Sequence, residues 1–242
     1  MRVARGEGDG EGRYETHVVP QTYRSTVLDG LLHIQRHLDR TLAFRYACRA
    51  AMCGTCGVRV NGVERLACST HLSAVPGGDV TVEPLRYLPV IRDLMVDFEP
   101  FFDAWRAVKP TFMPGAAACA DGSPAGFATI GPDVRERQVI DRHRECISCG
   151  ICYSACDVVG LAPSFPGPAA ITRSFCLIMD SRDGGREARL EVLDREGGCW
   201  RCHTHGTCSE LCPKGLDPTV AIEEVKRLLA RRTLQKAFGG PR

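Results

Sequence analysis

The chain has 242 residues, 44% of them hydrophobic and 25% charged, and a formal net charge of +2 at pH 7. That length holds one large domain or two modest ones, and a near-neutral chain with 7% aromatics lacks the basic, base-stacking surface of a nucleic-acid binder. The outlying number is 14 cysteines. Residues 1–13 are charged and glycine-rich with no apolar core, so no signal peptide is expected. The thiols therefore read as metal ligands in a reducing compartment, not as a disulfide framework. No apolar run approaches the roughly 20 residues that cross a bilayer.

Two short strands are predicted at 1–4 and 14–20, joined by a glycine-rich loop. The loop superficially resembles a phosphate-binding fingerprint, but no helix follows it, so a hairpin is expected. Val27, Leu28, Leu31, Leu32 and Ile34 fall on helical spacing and predict a helix over 26–38. Next comes Cys48-x4-Cys53-x2-Cys56, with Cys68 twelve residues further on. This is the plant-type [2Fe–2S] spacing, in which one tight loop supplies three thiolates and a neighbouring strand the fourth. Gly54 and Gly57 would let the backbone fold closely there. Zinc prefers paired knuckles, which this series does not form. Val58 to Val60, Asn61-Gly62 and Val63 predict a hairpin. A β-grasp arrangement is expected, one of several α+β folds this order allows.

A Pro/Gly/Ala-rich linker is expected at about 110–132, and helices at 134–144 and 169–180. Between them lies Cys146-x2-Cys149-x2-Cys152-x3-Cys156, the run of two-cluster ferredoxins, where the fourth cysteine ligates the other cluster. Cys202, Cys208 and Cys212-Pro213 are its downstream partners. Crossing them gives Cys146, Cys149, Cys152 and Cys212 to a [4Fe–4S] cluster and leaves Cys156, Cys202 and Cys208. His205 stands where a standard ferredoxin has the remaining cysteine, so the last set points to [3Fe–4S]. His205 or Cys199 as a fourth ligand would make it [4Fe–4S] instead. Eleven of the 14 cysteines are then assigned, leaving Cys119, Cys176 and Cys199. Asp217 as cap and Pro218 at the first helical position open a final helix with Val220, Ile222, Val225, Leu228 and Leu229 as its apolar face. The expected fold class is thus α+β: a β-grasp [2Fe–2S] ferredoxin domain over 1–100, then an all-α two-cluster ferredoxin-like domain over 101–242. A zinc- or disulfide-stabilised module without redox activity is the alternative from another class.

These motifs together resemble the iron–sulfur subunit of the succinate dehydrogenase/fumarate reductase family. The matching stretches are Val27-Leu28-Asp29, Thr41 to Arg45 with Cys48-Arg49, Leu66-Ala67-Cys68, Leu88 to Leu94, Asp180-Ser181-Arg182-Asp183, Trp200-Arg201-Cys202-His203 and Cys212 to Pro218. The resemblance implies a relay of single electrons through [2Fe–2S], [4Fe–4S] and [3Fe–4S] between the FAD of a flavoprotein subunit and a quinone. No catalytic residue would lie on this chain. It implies membrane-anchor subunits, with or without haem, and a peripheral place on the cytoplasmic side of the cell membrane. His203 and Lys214 match positions near the family's quinone pocket. Three departures stand out: Ala50-Ala51 replaces an acidic residue and glycine, Asp157 replaces a proline, and Val158 to Leu161 lacks the quinone-contacting tryptophan. A flavin-linked reductase using a thiol or soluble carrier is the alternative within this chemistry.

Overall fold

The computed structural model describes residues 1–8, 12–116 and 128–239, so Cys119 and the middle of the predicted linker lie outside the described residues. Two compact units emerge, and they interleave along the chain. The first comprises Met1–Pro100, Ile147–Ala155 and Leu211–Pro213; the second comprises Phe101–Cys146, Cys156–Glu210 and Lys214–Arg242.

The first unit is built on five strands: β1 (Arg2–Arg5), β2 (Arg13–Thr16), β3 (Gly57–Val60), β4 (Val63–Leu66) and β5 (Thr81–Glu83). They lie in the order β2-β1-β5-β3-β4, with β1 and β5 parallel and the other pairs antiparallel. The β3–β4 turn is Asn61-Gly62, at φ 48 and 80, the left-handed pair that a two-residue hairpin requires. A small hairpin of β6 (Val90–Arg92) and β7 (Met95–Val96) follows. One sheet face is covered by α1 (Val27–His33), whose Val27, Leu28, Leu31 and Leu32 are buried with Val3, Val58, Val60 and Val82. Thr26 caps α1 through a capping box with Asp29. The predicted helix ends its α-helical part at His33 and continues as a π-helical turn over Ile34–Leu38, which keeps Ile34 buried. The observed β2 stops at Thr16, short of the predicted residue 20.

The second unit is helical: α3 (Arg135–Arg144), α5 (Asp157–Leu161), α6 (Gly167–Ile178), α7 (Arg186–Leu193), α8 (Thr207–Glu210) and α9 (Pro218–Phe238). A helix α2 (Glu99–Ala107) runs into it, and the short α4 (Ile151–Ser154) belongs to the first unit. Asp217 caps α9 by accepting from Val220 N–H at 3.1 Å, with Pro218 following it. The buried face of α9 is Pro218, Ala221, Ile222, Val225 and Leu229, while Val220 is 42% exposed. Val220 lies about 200° around the helix from Ile222, so a helical face that buries Ile222 turns Val220 outward. The start of the Pro/Gly/Ala-rich stretch is strapped down: Gly115 N–H donates to Arg182 O at 2.8 Å and Met113 N–H to Asp183 at 3.0 Å.

Candidate metal centres

The first cysteine loop is wound to aim amides at sulfur. Arg49, Ala51 and Gly54 adopt positive φ (56, 55 and 75), which turns successive N–H groups inward. Cys48 Sγ accepts from Ala50, Met52 and Cys53 N–H at 3.3–3.4 Å, and Cys68 Sγ accepts from Ala51 N–H at 3.3 Å. Hydrogen bonding by Thr55 draws the Cys53 thiol down to about 6, while burial, with Cys68 and Cys53 nearby, pushes Cys56 up to about 12. Amide donors pointed at four grouped thiols suit a thiolate-bound cluster, and Ala51 supplies its N–H despite the residue change at this position.

The approach to this loop is fixed by a buried ion network. Arg5, 5% exposed, donates to Asp93 at 3.0 Å, to Asp39 at 2.5 Å and to Thr41 Oγ1 at 2.7 Å. Asp93 in turn accepts from Ala43 N–H at 2.9 Å. Residues 39–43 are thereby tied to β1 just before Cys48. The Thr41 hydrogen bonds and the Arg5 guanidinium hold the Asp39 carboxyl well below the ordinary carboxylate range.

Gly54 and Gly57 have a neighbour that spacing did not reveal. A Cβ on Gly54 would sit 2.8 Å from Cys149 Cβ and 2.9 Å from Ile147 O; one on Gly57 would sit 3.0 Å from Cys149 O. The glycines admit the second cysteine run against the first loop, within one compact unit.

The second and third sets divide between the units. Cys149 and Cys152 lie in the first unit with Cys212, and Cys146 ends the segment of the second unit that leads into Ile147. Cys156, only four residues after Cys152, lies in the second unit with Cys202 and Cys208. Burial raises the Cys156 and Cys208 thiols, and the nearness of Cys202 raises both further. Thr204 N–H approaches Cys202 Sγ at 3.4 Å, and Cys208 Sγ lies 3.4 Å from Thr219 Oγ1. Lys226 on α9 donates to Cys202 O at 2.6 Å. Its only sequence signal is its position one residue after the buried Val225.

Cys199 is 0% exposed, and burial pushes it up to about 12; His205 is exposed, its ring centroid 6.1 Å from that of His203. His203 is exposed as well. Lys214 is half-buried on a cavity of about 570 Å³ that it lines with Asp141, Arg142, Glu145 and Leu216. Every described cysteine is a free thiol. Among the described residues no three His, Cys, Asp or Glu side chains are grouped so as to hold a metal ion. A polynuclear cluster does not require one such point, because its thiolates are spread over several irons. Among the described residues no helix is long and apolar enough to cross a membrane.

Comparison with known proteins is specific. Residues 1–103 match the family described as a 2Fe-2S iron-sulfur cluster binding domain, and residues 142–216 match the 4Fe-4S dicluster domain. The fumarate reductase iron-sulfur subunit of Mycobacterium tuberculosis is 40% identical over 232 residues, covering 96% of this chain and 92% of its own. Its counterpart in Haemophilus influenzae is 38% identical over 226 residues, covering 91% and 88%. A chain of the Mycobacterium smegmatis Sdh1 complex in its apo form superposes with a TM-score of 0.85 at 30% identity, covering 96% of this chain and 95% of that one.

Proposed function

Since the chain belongs to the family of iron–sulfur subunits of fumarate reductase and succinate dehydrogenase, we propose that it passes single electrons between the FAD of a partner flavoprotein and a quinone. It is an electron-transfer subunit of that enzyme complex, with [2Fe–2S] and [4Fe–4S] binding domains and partner subunits. The ligand sets are Cys48, Cys53, Cys56 and Cys68 for [2Fe–2S], Cys146, Cys149, Cys152 and Cys212 for [4Fe–4S], and Cys156, Cys202 and Cys208 for [3Fe–4S]. When bound, such clusters supply one-electron centres whose potentials respond to charge, hydrogen bonds and burial.

The observation that carries this reading is the exchange of partners between the units. Cys212 joins Cys149 and Cys152 from about sixty residues away, while Cys156 leaves its neighbours to join Cys202 and Cys208. That is the crossing a two-cluster ferredoxin needs. The chain's own work is to present thiolates and to aim the amides of Ala50, Ala51, Met52 and Cys53 at sulfur. We leave the fourth position of the third set without a protein ligand: Cys199 is fully buried and His205 faces solvent. His203 and Lys214 mark the chain's side of a quinone pocket by their motif positions, and Lys214, though not His203, lines a cavity. A membrane-anchor subunit holds the complex on the cytoplasmic side of the cell membrane.

Electron paramagnetic resonance on the purified complex tests the assignment. Cys53→Ser is expected to alter the [2Fe–2S] signal alone. The oxidised sample is expected to show the low-field signal of a three-iron cluster, and His205→Cys to convert that cluster towards [4Fe–4S]. A colourless protein containing only zinc would overturn the reading.

A further inference from the structure

We propose that Glu64 is a positioning residue of the relay, a buried carboxylate that holds down the reduction potential of the neighbouring centres. The inference rests on the ligand sets proposed above. Glu64 stands on β4, four residues before Cys68, and is 3% exposed. A charge so deep in a fold is retained only where it is paired and hydrogen-bonded.

Its partners form a closed ring inside the first unit. Glu64 Oε1 accepts from Ser154 Oγ at 2.9 Å and from Arg86 Nε at 3.3 Å. Ser154 Oγ accepts from the backbone N–H of Arg86 at 2.7 Å, which leaves its own proton for Glu64. Arg59, opposite Glu64 in the β3–β4 ladder, brings Nε to 3.6 Å from the same oxygen. Oε1 is thus surrounded by donors, the environment of an ionised carboxylate. Ser154 is fully buried and ends α4 two residues after Cys152. The ring therefore ties the strand leading to Cys68 to the helix carrying Cys152.

The electrostatic consequence follows from unequal screening. Glu64 is 3% exposed, whereas Arg59 and Arg86 are 22% and 35% exposed, so water weakens the cations more than the anion. Glu83 lies 3.5 Å from Arg59, so two carboxylates match the two guanidinium groups, and the most buried charge of the four is the Glu64 anion. Reduction adds an electron to a cluster, and a fixed negative charge in a poorly screened interior opposes it.

Redox titration of the whole complex, followed by paramagnetic resonance, tests this with paired variants. Glu64→Gln keeps the shape and removes the charge, and is expected to raise the [2Fe–2S] midpoint potential. Arg86→Gln removes a cation beside the same carboxylate and is expected to lower it. Glu64→Asp, which keeps the charge, should stay near the wild-type value. Shifts of opposite sign are what a purely structural role cannot produce, since packing damage has no reason to follow the sign of the lost charge. Two variants moving the same way, or neither moving, would overturn the proposal. If Glu64→Gln fails to assemble, an unchanged or raised potential in Arg86→Gln overturns it alone. A wild-type complex with no [2Fe–2S] signal would instead strike at the ligand assignment.

Discussion

Arg189 and Asp183 have fully inaccessible side chains. The Arg189 guanidinium lies on the Asp183 carboxylate through both Nη atoms, and it also donates to Lys109 O at 2.9 Å and Thr111 O at 2.7 Å. Asp183 accepts in turn from Met113 and Gly185 N–H at 3.0 and 2.7 Å. One buried pair therefore organises three backbone segments. Arg189→Met would leave Asp183 charged without its counter-ion, and a loss of about 3–5 kcal/mol is expected in urea unfolding. Adding Asp183→Leu should recover part of that loss, because the stranded charge goes with it. A second residue-scale prediction concerns Cys176, 3% exposed on α6, whose thiol burial pushes up to about 12. Between the ordinary thiol pKa of about 8.5 and that raised value the native state binds more protons than the unfolded state. Cys176 thus contributes stability below about pH 8.5 that is lost as pH rises towards the raised value. Burial both shields the thiol and disfavours the thiolate, so alkylation at pH 8 should spare Cys176 until the protein unfolds. Labelling of the native protein at the rate of an exposed thiol would contradict the burial argument.

At the scale of elements, the tightest constraint is the packing of the 147–149 backbone against the first cysteine loop. Gly54 combines a φ of 75 with no room for a side chain. Gly54→Ala must displace either loop, and we expect iron content to fall and both the [2Fe–2S] and [4Fe–4S] signals to weaken together. Loss of the [2Fe–2S] signal alone would show that the contact does not matter to the second run. The purpose of that glycine could not be read from the chain itself, because Cys149 is remote in sequence. Local chemistry was readable where it is self-contained. Asn61-Gly62 marked its hairpin, Asp217-Pro218 its helix start, and the cysteine spacings the two kinds of loop. The helix over 26–38 was recognised, but its π-helical end was not, since Ile34 continues the apolar pattern that the winding change serves to keep buried. Helix α7 was missed because its buried face includes Arg189, a residue whose type signals solvent until Asp183 is seen beside it.

Seen whole, the molecule splits its cysteines by unit, not by order along the chain. The proposed ferredoxin-type crossing follows from spacing, because Cys156 and Cys212 each have a known kind of partner to seek. The companions of the sulfurs could not. Glu64 with Ser154, and Lys226 with Cys202, pair residues that are 90 and 24 positions apart. The same interleaving bears on how the chain is made. Chains emerge from the ribosome N-terminus first, and domains generally fold as units in that order. Here the first unit is unfinished when Pro100 appears, because it still lacks Ile147–Ala155 and Leu211–Pro213. At about 5–20 residues per second, that leaves a wait on the order of ten seconds. During it the Cys48–Cys56 loop would stand open beside Gly54 and Gly57. A fragment ending at Pro100 is accordingly expected to be more prone to proteolysis and cluster loss than the same residues in the full chain, which limited digestion and iron analysis would measure. Delivery of iron and sulfide to this protein would then be timed by translation of Leu211–Pro213.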